Sequence, residues 1–362
     1  MKTLWLLRRR YNAAGGGERF AARLARAFAA RGWRVRIVAE EWPPAEDDHY
    51  DVIRAPTNSP LAFSRHWTER LAPSAEGVVF SMERTARQHL YRAGDGVHAA
   101  WLERRAATRP LLGRLLAPLN PKHRAVLQLE RATFRAASTG TIIANSPMVR
   151  DEILARFPYP ADRIEIVPPG VNLARFAPCR DAGRREALRD GFGLPRDAVV
   201  WAFVGSGFAR KGLASAIQLA AAQSAPLWLL VLGRGRRNAA ERLAERVGIR
   251  ARLRFLPAET PALDAYHAAD AFILPTVYDP CANATLEAAA CGLPVITTPA
   301  NGAAVYVAPI LVEPSLDLAA AAERCAPAAR PFDLARVNEE LRARLDEKPC
   351  WDALARLVEL AA

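Results

Sequence analysis

The strongest constraint on the fold is a rhythm that runs twice through the chain: short apolar segments of strand length, each followed by a stretch with apolar residues at helical spacing. Such alternation builds a parallel sheet covered by helices, because a parallel strand pair needs a crossover that packs back onto the sheet. The first cycle shows every part. Leu4 to Leu7 is apolar, Asn12-Ala13-Ala14-Gly15-Gly16-Gly17 breaks the run, Phe20, Leu24 and Phe28 recur every four residues, and Gly32 stops the helix before Val35, Ile37 and Ala39 alternate. Further strands are expected at 51–53, 77–80 and 141–144, the last leading into a helix with Ser146 as N-cap and Pro147 at its first position. Residues 98–137 read as mostly helical and basic.

The segment Ile164-Glu165-Ile166-Val167-Pro168-Pro169-Gly170 ends a strand in stiff punctuation, and the rhythm then restarts. Strands are expected at 199–204, 227–232, 253–256, 271–274 and 294–297, with helices at 212–222, 238–247, 261–269 and 284–291. The expected fold class is therefore α/β, with two successive Rossmann-like open-sheet domains, 1–167 and 168–362, the second ending in a helical tail from Leu334. No apolar run approaches the ~18–20 residues that span a bilayer. The order of an apolar run before Arg8-Arg9-Arg10 reverses that of a secretory signal, so a cytoplasmic location is expected. The five cysteines lack C-x-x-C spacing and paired histidines, so neither a disulfide framework nor a zinc site is expected.

Charge separates the halves. Residues 1–170 carry 27 Lys+Arg against 17 Asp+Glu, whereas residues 171–362 carry 23 against 21. Within the first half, Arg104, Arg105, Arg109, Arg114, Lys122, Arg124, Arg131 and Arg135 face only Glu103 and Glu130 between 101 and 135. Such a stretch suits an anionic membrane, an anionic polymer or a phosphorylated acceptor, and charge alone equally fits solvated arginines on helix surfaces.

Three motifs carry chemistry. Gly15-Gly16-Gly17 lies between the first strand and helix, where glycine lets backbone approach a ligand and the helix start offers free amides to an anion. The spacing is not G-x-G-x-x-G, so no dinucleotide fingerprint is expected. Gly205-Ser206-Gly207-Phe208-Ala209-Arg210-Lys211-Gly212 follows the first strand of the second half, where open α/β sheets bind ligands. Arginine grips phosphate bidentately and lysine adds a point charge, so the pair suits a departing diphosphate. The third and most specific runs Asp279-Pro280-Cys281-Ala282-Asn283-Ala284-Thr285-Leu286-Glu287, then Cys291-Gly292-Leu293-Pro294-Val295. Its two carboxylates bracket a strand-to-helix turn, and the amides near Ala284 and Thr285 fall at the helix start, ready for a phosphate.

That third motif resembles the E-x7-E element of the retaining family 4 glycosyltransferases, whose usual form is E-P-F-G-N-x-x-x-E followed by A-x-x-x-G-x-P-V. The glycine turn at 15–17, Pro169-Gly170-Val171-Asn172 with Phe176, Gly205 with Arg210-Lys211, and Tyr266-His267-Ala268-Ala269-Asp270 resemble the same family in the same order. The resemblance implies the GT-B architecture, two Rossmann-like domains facing a cleft, with C-terminal helices able to cross back to the first domain. It implies that the first domain binds the acceptor and the second the nucleotide sugar. Glu287 would hold the ribose hydroxyls, Arg210 and Lys211 the diphosphate, the amides near Ala284 and Thr285 the distal phosphate, and Asp279 the transferred sugar, with Gly15, Gly16, Gly17, Gly205 and Asn283 also around the donor. Asp279 replaces the family glutamate and Ala282 its glycine.

Within the family, Gly205 to Gly212 and Leu129-Glu130-Arg131-Ala132-Thr133-Phe134 resemble most the lipopolysaccharide core glucosyltransferases that modify inner-core heptose. These are peripheral membrane proteins with a basic N-terminal surface, which assigns Arg104, Arg105, Arg109, Arg114, Lys122 and Arg124 to an anionic inner-membrane face or a lipid-anchored glycan acceptor. Asp95 and His98, beyond an apolar segment, are the expected acceptor-side catalytic pair. The implied reaction moves a hexose, glucose from its uridine diphosphate, with retained configuration. The family is thought to react on one face, with the leaving diphosphate taking the acceptor proton, and there is no D-x-D metal motif, so neither cofactor nor metal is expected. The alternatives are the same family with another donor or acceptor, a nucleotide-sugar epimerase, and a basic nucleic-acid-binding protein. Against the last stands the absence of an aromatic-interleaved basic motif, so no nucleic-acid partner is expected.

Overall fold

The computed structural model describes residues 2–11, 16–43, 50–107, 120–313 and 317–362. The chain divides into two compact units, one formed by residues up to Pro168 together with Pro349–Ala362 and the other by Pro169–Lys348. Among the described residues no helix is long and apolar enough to cross a membrane.

The first unit holds a seven-stranded parallel sheet of β1 (Thr3–Leu7), β2 (Arg34–Ala39), β3 (Asp51–Arg54), β4 (Val78–Ser81), β5 (Gln88–Arg92), β6 (Thr139–Ala144) and β7 (Ile164–Ile166), in the order β3-β2-β1-β4-β5-β6-β7. Strand alternation sends successive side chains to opposite faces, and both faces are covered, which is why β1 is apolar and buried from Leu4 to Leu7. Leu4 and Leu6 pack with Leu24, Phe28, Ile37 and Phe80, whereas Trp5 and Leu7 pack with Val38, Phe63 and Trp67. The last helix of the chain, Lys348–Leu360, supplies Leu354, Leu357 and Val358 to the first of these clusters and stacks Trp351 on Phe20. The tail thus packs with the first sheet rather than with the unit that precedes it.

The second unit holds a six-stranded parallel sheet of β8 (Val199–Val204), β9 (Leu227–Leu232), β10 (Leu253–Phe255), β11 (Ala271–Leu274), β12 (Val295–Thr297) and β13 (Ile310–Leu311), in the order β10-β9-β8-β11-β12-β13. The reversal falls between β8 and β11, so the loops leaving their carboxyl ends diverge and leave room for a ligand. Those loops carry the glycine-cation motif and the carboxylate motif. Two parallel open sheets with flanking helices are the GT-B-like α/β class expected from the sequence.

Several elements lie outside the sequence reading. The strand β5 escapes a hydrophobic-pattern test because Gln88 and Arg92 are polar, yet both are buried. Gln88 is satisfied by Thr85 and by Thr139 Oγ1 at 2.9 Å, and the Arg92 guanidinium lies 3.8 Å over the Phe20 ring. The short edge strand β13 and the helices Pro60–His66, Ala182–Gly191 and Leu318–Cys325 were likewise not anticipated.

Candidate active site

In the second unit, Gly205 ends the bonding of β8 and Gly207 turns with φ +81° into the short helix Phe208–Lys211. A side chain at Gly205 would press on Lys211, with Cγ only 3.3 Å away, so glycine here lets the lysine lie across the strand end. Gly212, at φ +79°, is more tightly constrained: a Cβ there would sit 1.9 Å from the Pro275 carbonyl oxygen. That approach straps the loop after β11 to the cationic helix. Val277 N and Thr276 Oγ1 both donate to the Arg210 carbonyl at 2.9 Å.

The strapped loop delivers Asp279. Its Oδ2 accepts from Arg210 Nη1 at 3.0 Å and from Lys211 Nζ, and Asp279 and Lys211 are both buried. Burial alone would raise the Asp279 pKa, but Lys211 and then Arg210 overcome it and hold the carboxyl below its ordinary value. One carboxylate therefore balances two cations, leaving a positive excess at the strand end.

The helix Asn283–Ala290 follows. Its N-cap Ala282 offers no side-chain acceptor, and the Thr285 amide folds back to the Ala282 carbonyl at 3.0 Å, while the amides of Asn283 and Ala284 have no acceptor among the described residues. Thr285 itself is buried and its hydroxyl accepts from Asn301 Nδ2 at 2.9 Å. Asn301 escaped the sequence reading although it organises this turn. Its Nδ2 also reaches Thr297 Oγ1 at 3.0 Å, and its Oδ1 accepts from the amides of Ala282 and Ala303. The Asn301-Gly302 pair after a strand was the available signal. One turn into the helix, half-buried Glu287 accepts from the Tyr266 hydroxyl at 3.0 Å, which fixes one carboxylate oxygen.

In the first unit, the glycine turn is only partly visible: the helix begins at Gly16, Gly17 lies beside the Arg8 guanidinium, and Gly15 falls outside the described residues. Asp95 is exposed in the turn after β5, and its side chain makes no hydrogen bond among the described residues. His98 starts the helix His98–Ala107, whose first amides are capped by the fully buried Glu130: His98 N donates at 2.6 Å and Ala99 N at 3.1 Å. Glu130 also pairs with Arg84 at 3.4 Å. Glu130, expected as one of two acids in a basic stretch and as part of the Leu129 to Phe134 motif, is the anchor of this turn.

The imidazole of His98 lies 3.2 Å from His123 Nδ1, and His123 Nε2 lies 3.3 Å from Arg105. A guanidinium can only donate, so neutral His123 accepts from Arg105 and donates to His98 Nε2. Burial, then the nearby Arg84, His123 and Arg105, push the His98 pKa down to about 4. Its basic nitrogen is engaged within the unit. Of the basic stretch, Arg104 pairs with Glu152 at 2.8 Å and Arg105 also covers the Trp101 ring, whereas Lys122 and Arg124 are exposed. Arg109 and Arg114 lie outside the described residues. Among the described residues no cluster of three or more His, Cys, Asp or Glu could hold a metal ion.

Comparison with known proteins places the chain in a family. The Glycosyltransferase Family 4 profile matches residues 14–175 and the Glycosyl transferases group 1 profile residues 198–327. The lipopolysaccharide glucosyltransferase WaaG of Escherichia coli (strain K12) is 27% identical over 361 residues, covering 96% of this chain and 91% of that protein. The crystal structure of WaaG, described as a glycosyltransferase involved in lipopolysaccharide biosynthesis, superposes with a TM-score of 0.72 at 25% identity, over 98% of this chain and 94% of that one. The D-inositol 3-phosphate glycosyltransferase of Rhodococcus opacus (strain B4) is 34% identical, but over only 47% of this chain and 40% of that protein. HepE from Anabaena in complex with UDP-glucose shares the fold, with a TM-score of 0.73 at 17% identity over 99% of this chain and all of that one. The protein is an enzyme of the GT-B class and belongs to the family 4 and group 1 glycosyltransferases.

Proposed function

We infer that the protein transfers glucose from UDP-glucose, with retained anomeric configuration, to a heptose of a lipopolysaccharide core or a similar lipid-linked glycan. The observation that carries this reading is the meeting of Arg210, Lys211 and Asp279 at the carboxyl end of β8, beside a helix start with two free amides and Glu287 one turn on. The overall similarity to WaaG, whose name states a lipopolysaccharide glucosyltransferase, favours the acceptor class, and the UDP-glucose complex of HepE favours the donor.

The second unit binds the donor. Glu287 accepts from the ribose hydroxyls, the Asn283 and Ala284 amides take the distal phosphate, and Arg210 and Lys211 neutralise charge that grows as the diphosphate departs. Asp279 takes hydroxyls of the transferred sugar once the cations turn to phosphate. The pair Asp279 and Glu287 is committed to binding, so retention proceeds on one face of the sugar, the leaving phosphate oxygen accepting the acceptor proton as the new glycosidic bond forms. Fixed cations supply the charge stabilisation, and the reaction needs no metal. Within the first unit, the glycine turn at Gly16 and Gly17 keeps its donor assignment, and Asp95, an exposed carboxylate, orients the acceptor hydroxyl. Lys122 and Arg124, with Arg104, Arg105, Arg109 and Arg114, rest the enzyme on the anionic cytoplasmic face of the membrane.

The test is a transfer assay with purified enzyme, heptose-terminated lipopolysaccharide and UDP-, GDP- or ADP-glucose, with and without a chelator. Transfer from UDP-glucose alone, unaffected by the chelator and lost in folded Glu287→Ala and Lys211→Ala variants, supports the reading. Normal turnover in either variant overturns the site, and another preferred donor overturns the sugar nucleotide.

A further inference from the structure

The proposed donor-binding groups of the second unit follow carboxyl ends of the six-stranded sheet. At its amino end, beside the starts of β8 and β11, lies a separate cavity of about 490 Å³ walled by residues between Cys179 and Arg185 and between Arg330 and Arg336. The six residues of β8 alone place about 20 Å between the two ends.

Four arginines, Arg180, Arg185, Arg330 and Arg336, line this cavity, against one acid, Asp333. Behind the lining residue Arg185 lies a buried charged cluster. Asp270, 2% exposed, is shared by Arg185 Nη2 at 2.6 Å and Arg189 Nη2 at 2.7 Å, and it also accepts from the amides of Val200 and Phe332. One carboxylate thus serves two guanidinium groups, whose remaining donors go to the carbonyls of His267 and Ala269 from Arg185 and of Ala268, Arg196 and Ala198 from Arg189. At the rim, Arg336 pairs with Asp333 at 3.3 Å and Arg180 with Glu339 at 3.1 Å, all four side chains being largely exposed. Exposed pairs of this kind are worth about 0–1 kcal/mol and exchange readily for a stronger anion. Arg330 is exposed and has no ion-pair or hydrogen-bond partner among the described residues. Cys179, Ala182, Pro331, Phe332 and Leu334 make the rest of the wall apolar.

We propose that this cavity is a second ligand site, which binds a phosphate-bearing small molecule through Arg330, Arg336 and Arg180 and seats its apolar body against Phe332 and Leu334. The volume falls in the range of small-molecule sites, about 300–1,000 Å³, and convergent guanidinium groups match phosphate oxygens bidentately. A phosphate group can come from a free metabolite or from a lipid headgroup. The apolar wall beside the guanidinium groups suits a free molecule, which can lay its body against Phe332 and Leu334.

Calorimetric titration of the full-length protein with pyrophosphate tests the site, with three variants and a vesicle control. Pyrophosphate can also occupy the cations at the donor end, so Lys211→Ala separates the two locations. The expected result is a site that Lys211→Ala retains and that Arg330→Glu with Arg336→Glu weakens at least ten-fold. If that double variant is misfolded by circular dichroism, Arg330→Gln replaces it, with a weakening of three-fold or more expected. Wild-type affinity in the arginine variants, complete loss in Lys211→Ala, or no binding to the unaltered protein overturns the proposal. A variant that binds pyrophosphate normally but no longer cosediments with phosphatidylglycerol vesicles also overturns it, assigning the arginines to a membrane surface.

Discussion

Asp279 faces Arg210 and Lys211 with one carboxylate, so an incoming diphosphate competes with it for the same two cations. Asp279→Asn keeps the shape and removes the competitor. The free enzyme then holds buried Lys211 without its counter-charge, and removing one partner of a buried pair costs about 3 kcal/mol. The expected outcome is a lower unfolding temperature without ligand, UDP binding that is retained or tightened, and glucose transfer reduced by about 100-fold or more, since the sugar contact is lost. Thermal shift and steady-state kinetics on one preparation read all three. His98 gives a second residue-level prediction with a definite sign. Its folded pKa, pushed down to about 4, lies below the ordinary histidine value, so the unfolded chain binds more protons between the two. The contribution is present in full above pH ~6.5 and is lost as pH falls toward ~4. His98→Asn should therefore flatten part of the fall in unfolding temperature across that window, and an unchanged slope would show that burial does not hold His98 neutral in the folded chain.

At the scale of elements, the proposed donor site depends on two backbones lying closer than any side chain would allow. Gly212→Ala places a methyl 1.9 Å from the Pro275 carbonyl and forces a left-handed φ on alanine, so the loop after β11 must retreat from the helix Phe208–Lys211. The bonds from Val277 N and Thr276 Oγ1 to the Arg210 carbonyl go with it. A loss of about 3 kcal/mol is expected, with UDP affinity falling because the displaced helix Phe208–Lys211 no longer holds Arg210 and Lys211 at the strand end. Denaturant unfolding monitored alongside UDP titration measures both. This element was legible beforehand as Gly-x-Gly with two cations, because the glycines and the charges sit within one short segment. The partners that finish the site were not. Asn301 reaches Thr285 and Thr297 from sixteen and four residues away, and Glu130 caps a helix start thirty-two residues before it. Long-range satisfaction of a buried polar group leaves no periodicity for a sequence pattern to register. For the same reason β5 was missed, since its polar ends are buried by partners on other strands and helices. Apolar strands such as β1, β8 and β9 were read correctly because parallel strands covered on both faces must be apolar throughout.

For the whole molecule, the decisive fact is that the chain passes out of the first unit once and returns to it at the end. The two crossings run side by side: Val171 N donates to the Leu345 carbonyl at 2.7 Å, Glu347 N donates to the Val171 carbonyl at 3.1 Å, and Gly170 fits because a Cβ would lie 2.1 Å from Glu347 Cα. The returning helix Lys348–Leu360 then buries Cys350, Leu354, Leu357 and Val358 against β1, β2 and β4. At about 1.5–3 kcal/mol for each large aliphatic side chain, that helix contributes on the order of 5–10 kcal/mol to the first unit, comparable with the whole stability of an ordinary domain. Ending the chain after Lys348 removes all but the first residue of the helix while leaving the whole of the second unit, with β8 to β13 and every residue of the proposed nucleotide site, in place. The truncated protein is expected to lose one of its calorimetric transitions and all transfer activity, and to keep the UDP-induced shift of the other. Because the lost contacts lie wholly within the first unit, a truncated protein that lost the UDP shift as well would show that the second unit cannot hold its fold without the returning helix, and the two units would then have to be treated as one cooperative body.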